Sequence, residues 1–346
     1  MPIQGEKLLD TPLAGGRKNV DFDPADHGMA PLALEVLAPG LPSPADLFLP
    51  LYNTVTRRVE ITPACAKGDS FKERWRDNLL QANQKVVLVN MDQLPGIEGY
   101  FRENAGEFLG NTSVPMRRKR LLLHEMASLN LRSVFIGDLS AQAVGKAVAT
   151  AEGVLKRMLG DAALLQNLSS VLRSEYAIYT HSVNVSLLSM AFARQMRLPE
   201  GQVQALGLAG MLHDLGRAKQ PKDLWSKQGP LDQQEWEIVR GHPQLGYRAL
   251  SAIPSVSIDV LKAVLHHHEN CDGSGYPHGL KAGRTPMMAR LLHIVDAFDA
   301  MTSERPHRPA MQAFEAGEVI LEHAEKVFGQ DLVPRFLRFL ASPHYQ

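Results

Sequence analysis

Hydrophobic and polar positions divide this chain into two regimes. From Thr54 to Thr62 apolar and polar residues alternate, which predicts an exposed strand, and Val86-Val87-Leu88-Val89 is a short β-branched run suited to a buried one. Between them Phe71, Trp75 and Leu79 recur every four residues, predicting a helix with one apolar edge. Ser70 and Glu73 stand at the spacing of a capping box at its start. Pro39, Pro42, Pro44 and Pro50 read as punctuation before these elements. From about residue 115 the period becomes helical almost throughout. Val144, Val148, Leu155 and Leu159 form one stripe, suited to a core or to a dimer seam, and further helices are predicted at 166–197, 202–214, 232–250, 256–268, 286–302 and 310–327.

The expected fold is α+β overall: a small N-terminal α/β module followed by an all-α bundle. The boundaries read as a flexible arm over 1–30, the small module over 31–115 with a regulatory role, a helical linker over 116–160, and the helical domain over 161–346. The module carries no recognisable chemistry. Its attachment to an enzyme-like domain is the only basis for a regulatory role or for docking a signalling partner.

Composition narrows the partners. Apolar residues make up 45% and charged residues 21% of the 346, an ordinary soluble balance. Thirty-seven basic residues cancel 37 acidic ones, so a long nucleic acid held through many phosphates is not expected. The Arg117-Arg118-Lys119-Arg120 cluster reads as a solvated face. Cys65 and Cys271 are too few for a disulfide framework or a thiolate metal site, and Cys271 reads as a reduced small residue. With no membrane-length apolar run and no secretory signal, a cytoplasmic protein is the expectation.

The chemistry concentrates in His267-His268-Glu269-Asn270-Cys271-Asp272-Gly273-Ser274-Gly275-Tyr276-Pro277, with His213-Asp214 upstream. Two adjacent imidazoles and a carboxylate beside a glycine-punctuated turn suit metal ligands next to a loop that phosphates can approach. An imidazole gives one nitrogen to one ion, whereas a carboxylate can bridge two, so a vicinal His-Asp suits a dinuclear centre. His181, His242, His267, His268 and Asp296 extend the set. Two octahedral ions need roughly twelve positions, and these residues fill about eight of them. The remainder leaves the centre open, as a catalytic site requires. His124, His307, His323 and His344 read as surface residues, and His266 as a flanking one. His293 is a weaker candidate for supporting the ligands. Glu269 reads as an acceptor orienting an imidazole.

Residues from about 165 to 310 resemble the HD-GYP domain, a branch of the HD phosphohydrolase superfamily. The resemblance runs through Tyr179-Thr180-His181-Ser182, His213-Asp214-Leu215-Gly216, Pro221, Lys227, Gly229, Leu231, Glu235, His242-Pro243 and Gly246. It continues through His267-His268-Glu269, Asp272 to Pro277, Ala289-Arg290, Asp296, Asp299-Ala300, Thr302-Ser303 and Arg305-Pro306-His307-Arg308. It implies a helical bundle with a dinuclear or trinuclear centre, usually of iron or manganese, that hydrolyses cyclic di-GMP to pGpG or GMP. It further implies that His181, His213, Asp214, His242, His267, His268 and Asp296 are the metal ligands and that Asp299 supports them. Gly273, Gly275, Tyr276, Pro277, Arg305 and Arg308 would hold substrate. Arg305 and Arg308, at i and i+3, can also present two guanidinium forks to phosphate oxygens.

Two departures stand out. Arg217 occupies the place of the family's usual lysine; it keeps the charge but is a poor proton donor. Asp214 and Arg217 are therefore the catalytic candidates, and a metal-loaded but catalytically weak cyclic-dinucleotide receptor or adaptor is the alternative reading. A mixed cyclic GMP-AMP is a further substrate candidate. Ala177 stands where trinuclear members place an extra carboxylate, and Glu175 lies about 240° round the helix from His181. Two ions per chain, not three, are expected.

Overall fold

The structure, a computed structural model, describes residues 24–37, 41–53, 55–136, 139–172, 178–227, 229–304 and 309–346. The chain separates into one compact unit ending at Met126 and another running from Ala127 to Gln346.

The first unit is built on a four-stranded antiparallel sheet in the order β1-β4-β2-β3. Its strands are β1 (Met29–Ala33), β2 (Leu47–Asn53), β3 (Arg58–Cys65) and β4 (Val86–Asn90). Strand β4 lies inside the sheet, and Val87, Leu88 and Val89 are all fully buried. A strand covered on both faces has no reason to alternate, which is why this one is continuously apolar. Met29 and Ala30, placed by sequence in the loose arm, are buried strand residues; most of that arm lies outside the described residues.

The strand expected over 54–62 starts later, at Arg58. Val55 and Thr56 donate backbone N–H groups to Asn53 Oδ1, and Arg57 takes a positive φ, so this stretch makes the β2–β3 turn. Thr54 itself lies outside the described residues. Strand β2 escaped the sequence reading because Pro50 looked like a breaker. Beyond Phe48 it pairs with β3 alone, an edge position where proline's missing N–H is tolerated.

Helices α1 (Glu73–Gln81) and α2 (Leu94–Gly110) belong to the same unit, burying Trp75 and Leu79 from one and Ile97, Phe101 and Ala105 from the other. The expected capping box is not formed: Ser70 bridges to Pro42 and Phe71 N–H reaches Leu41 O, so the helix starts only after Lys72. The basic cluster is not a solvated face either. Arg117 pairs with Glu35, Arg118 donates to the carbonyls of Glu35 and Leu37, and Arg120 is buried. These guanidinium bonds satisfy carbonyls that the short turn after β1 leaves open. His124, expected at the surface, is fully buried.

Helix α3 (Met116–Ile136) runs through the boundary between the units, and α4 (Ala141–Gly160) belongs to the second. The helical unit therefore begins inside the segment read as a linker. The stripe of Val144, Val148, Leu155 and Leu159 is buried within this unit, so it serves as core and offers no free dimer seam.

The succeeding helices are α5 (Ile178–Gln195), α6 (Glu200–Leu212), α7 (Lys222–Ser226), α8 (Gln233–Arg240), α9 (His242–Ser251), α10 (Ile258–His266), α11 (Met287–Thr302), α12 (Ala313–Glu322) and α13 (Val333–Leu340). Helix α5 is central, with every residue from Thr180 to Ala193 buried. The single helix expected over 232–250 is broken between Arg240 and His242. Asp232 and Glu235 form a true capping box on α8, and Pro243 opens α9. The helix expected over 310–327 ends as α12 at Glu322, followed by a π turn over Ala324–Phe328. Helix α13 packs Phe336 and Phe339 against Phe192, closing the bundle behind α5. No described helix is long and apolar enough to cross a membrane.

Candidate metal centre

The metal-ligand candidates come from helix ends and one helix interior. His213 closes α6, His242 opens α9, His267 closes α10, His181 lies on α5, and Asp296 projects from α11. Helix ends leave carbonyls to be satisfied, and three of these histidines use one in the same way. Nδ1 of His213, His242 and His267 lies 2.8, 2.8 and 2.7 Å from the carbonyl oxygens of Gly210, Val239 and Val264, each three residues back. The Nδ1–H donates, so the lone pair of each ring is left on Nε2. His181 is oriented by a carboxylate instead: its Nδ1 lies 2.7 Å from Asp299 Oδ2, which also accepts from Ser303 Oγ.

The free nitrogens converge. His242 Nε2 and His267 Nε2 are 3.2 Å apart. With both Nδ1 protons committed, two neutral rings would face each other lone pair to lone pair unless a cation lies between them. Burial drives His242 down to about 4 and His267 well below the ordinary histidine value, so neither is expected to supply a proton.

Asp214 sits in the middle of the set. Its Oδ2 is 3.3 Å from His213 Nε2, and its Oδ1 is 3.3 Å from His242 Nε2. Asp296 Oδ1 lies 3.0 Å from His181 Nε2 and 3.7 Å from His213 Nε2, and its Oδ2 lies 4.0 Å from His268 Nδ1. The donors thus form overlapping triads: His181, His213 and Asp296; His213, Asp214 and His267; His242, His267 and His268.

These residues suit a metal on chemical grounds. His213 Nε2 and both oxygens of Asp214 are buried without an aligned hydrogen bond, and although Arg217 lies against Oδ1, Oδ2 and His213 Nε2 face each other in a costly arrangement unless a further cation satisfies them. Burial would raise the Asp214 carboxyl, but Arg217, His213 and His242 outweigh it and hold the group well below its usual range. Asp296 is likewise pushed up by burial and pulled well below its usual range by His181 and His213. Carboxylates ionised and imidazoles neutral are the protonation states that bind metal.

A pH dependence follows for the metal-free protein. The folded-state values of His242, His267 and His268 are depressed, so between about pH 6.5 and 4 the unfolded chain takes up protons that the folded chain refuses. Their contribution to stability is complete above about 6.5 and is lost as the pH falls through that window. The urea midpoint of chelator-stripped protein should therefore drop across it. An unchanged midpoint would show that these rings are not buried as neutral bases.

The Gly-Tyr-Pro loop leaves α10 directly after the ligands. A Cβ on Gly216 would lie 2.0 Å from His242 O, so glycine lets the turn after Asp214 reach the start of α9. Tyr276 packs its ring 4.8 Å from that of His268 and 6.4 Å from that of His242. Gly273 takes a positive φ, and the Tyr276–Pro277 peptide is cis. Glu269 does not orient a metal-ligand imidazole as the sequence suggested. Its carboxylate accepts the backbone N–H groups of His278 and Leu280, both at 2.8 Å, and so clamps the loop's return. His293 Nε2 lies 3.2 Å from Asn270 Oδ1 and supports the loop from α11.

Arg217 lies beside the centre, with Nε 2.7 Å from Asp214 Oδ1 and its guanidinium 4.0 Å over the Trp225 ring. Trp225 escaped the sequence reading, as did Arg240, which lies over the Tyr276 ring. Trp225 lies on the short helix α7 and Arg240 immediately before the α9 break, so only their nearness to motif residues could have flagged them. Arg305, His307, Arg308, Glu175 and Ala177 lie outside the described residues. Cys271 is a free thiol and joins none of the donor clusters found among the described residues.

Residues 161–332 match the HD domain family. The chain is 37% identical over 201 residues to a cyclic di-GMP phosphodiesterase of Pseudomonas aeruginosa, covering 58% of this chain and 49% of that protein. It is 31% identical over 142 residues to a 3'3'-cGAMP-specific phosphodiesterase of Vibrio cholerae, covering 41% of this chain and 33% of that one. The matched region thus spans about half or less of these relatives' own length. A solved HDG"Y"P protein from Bdellovibrio bacteriovorus shares the fold, with a TM-score of 0.64 at 18% identity, covering 91% of this chain and 100% of that one.

Proposed function

Because residues 161–332 form an HD domain, we propose that this chain is a metal-dependent phosphodiesterase that hydrolyses cyclic di-GMP to pGpG, GMP or both. The observation that carries this reading is Asp214, a fully buried carboxylate whose two oxygens face imidazoles of two different donor triads and take no aligned hydrogen bond. It supports two ions per chain, one among His181, His213, Asp214 and Asp296 and the other among Asp214, His242, His267 and His268. Iron or manganese suits such a nitrogen and oxygen donor set. Bound ions of this kind supply Lewis acidity toward a phosphodiester and its attacking water.

The protein's own groups do the rest. Arg217, held by the Trp225 ring and Asp214, places a fixed positive charge beside the centre, where a transferring phosphate builds negative charge. The Trp225 indole N–H is buried without an acceptor and can donate to a substrate oxygen. Burial pushes the Tyr276 phenol up, so it stays neutral and offers a ring face and a hydroxyl. Gly273, Gly275 and Pro277 shape the loop that carries it, and Arg305 and Arg308 are the expected phosphate forks. A signalling partner would dock on the N-terminal unit or on the Gly-Tyr-Pro loop.

The test is to load the purified protein with iron or manganese and follow cyclic di-GMP, resolving pGpG from GMP, with 3'3'-cGAMP as competitor. Turnover of cyclic di-GMP is expected. Two bound ions with measurable dinucleotide affinity and no hydrolysis would establish the receptor reading instead.

Arg217→Lys probes the departure from the family pattern. Arginine's contact with Trp225 and its alignment beside Asp214 point to a charge role, so lysine should lower kcat by a few-fold, as expected when a stacked fork becomes a mobile point charge. A rise of about 10²-fold or more, the scale of general-acid catalysis, would show that a proton donor had been missing.

A further inference from the structure

His266, Glu269 and His278 form a second donor cluster that the chemistry above does not use. His266 precedes the metal-ligand candidate His267, yet it faces a different group. Its ring lies 5.2 Å from that of His278, and its Nδ1 is 3.5 Å from Glu269 Oε1. That nitrogen is buried and makes no hydrogen bond. Glu269 is only 2% exposed and accepts one backbone N–H on each oxygen. Each carboxylate oxygen keeps a second lone pair for a further partner.

One donor atom from each of the three residues lies within 4.8 Å of the other two. A tetrahedral ion with bonds of about 2.0–2.1 Å separates its donors by roughly 3.3 Å. The exposed His278 side chain can supply that contraction while the buried pair stays in place. Two imidazoles, one carboxylate and a solvent-facing fourth position make a donor set of zinc type. We propose that His266, Glu269 and His278 bind a divalent zinc-type ion, separate from the centre around Asp214. The ion ties the end of α10 to the return of the Gly-Tyr-Pro loop. It reinforces from the side chains the clamp that Glu269 already makes through the backbone. The site does not depend on what the HD domain hydrolyses.

Cobalt(II) distinguishes the two kinds of site, because four-coordinate cobalt absorbs visible light far more strongly than six-coordinate cobalt. The full-length protein is equilibrated with Co2+, and bound metal is measured alongside the visible spectrum. The wild type is expected to hold one ion more than His278→Ala and than His266→Gln. The intense bands should vanish in both variants while the remaining cobalt is unchanged. His278 is exposed, so its replacement does not threaten the fold. The same cobalt content and spectrum in wild type and His278→Ala would overturn the site. Loss in His278→Ala with full retention in His266→Gln would overturn it as well, since the buried ligand would then be idle. Failure of the centre around Asp214 would show separately, as a loss of the weakly absorbing cobalt in every protein.

Discussion

Asp214→Ala should lose metal loading and hydrolysis together, with turnover falling by at least about 10²–10³-fold, the scale seen when a single electrostatic group is removed from a catalytic site. The side chain is fully buried, and its oxygens stand between His213 and His242, members of different triads. Truncation removes a carboxylate that faces both positions and takes from Arg217 its ion pair with Asp214 Oδ1. Asp214→Asn is the sharper variant, because it keeps the shape, removes the charge and turns a donor toward nitrogens that need a cation.

The readout need not be activity. A metal that binds only the folded state stabilises it by about 2.7 kcal/mol at a hundredfold excess over Kd. Chelation should therefore lower the wild-type Tm and leave that of either Asp214 variant nearly unmoved. A variant that keeps its metal, its chelator response and its turnover would break the assignment of Asp214 as the shared ligand.

The centre was legible in the sequence because metal chemistry restricts residue type more tightly than packing does. A buried Leu can become Met at little cost, but His213 and Asp214 have no such substitutes, so their order along the chain survives as a pattern. The local device that aims the rings was not legible. Nothing in a one-dimensional string says that Gly210, Val239 and Val264 will present carbonyls to the Nδ1 atoms of His213, His242 and His267. Glu269 shows the same limit: its neighbours suggested an imidazole partner, whereas the fold commits its carboxylate to the N–H groups of His278 and Leu280.

In the N-terminal unit the misreadings have a common physical source. Pro50, Ser70 and the Arg117–Arg120 cluster were read from local propensity, and in each case a distant strand or carbonyl decided the outcome. In the second unit the start of α8 followed its local signal, because Asp232 and Glu235 complete a capping box.

Gly275→Ala should cripple the site without touching a ligand. A Cβ there would lie 2.2 Å from Asn270 N, 2.4 Å from His268 O and 2.6 Å from Glu269 Cα. All three are backbone atoms of the segment that carries the ligands, so no side-chain rotation can relieve the overlap. The loop must move away, and the Tyr276 N–H bond to His268 O, 3.0 Å long, is the first to break. Overpacking of this kind costs about 1–3 kcal/mol and sometimes more. In the helical unit a destabilisation of about 3 kcal/mol corresponds to a Tm lower by roughly 6–12 °C.

The functional cost should exceed the stability cost, because the displaced segment holds His268 on one side and the Tyr276 ring on the other. Metal at the His242, His267 and His268 position should weaken, while the position at His181 and Asp296, built on α5 and α11, keeps its ion. About one ion remaining in the centre around Asp214 and a turnover reduced roughly 10²-fold are expected, since misplacing reacting groups by about 1 Å costs on that order. Gly273→Ala separates the effects. Its Cβ would meet Gly279 O and Lys281 Cγ, both at 3.2 Å, on the far limb of the loop, so it should strain the loop while leaving His268 seated. Equal metal content and equal turnover in the two variants would show that the overlap at Gly275 does not transmit to the centre.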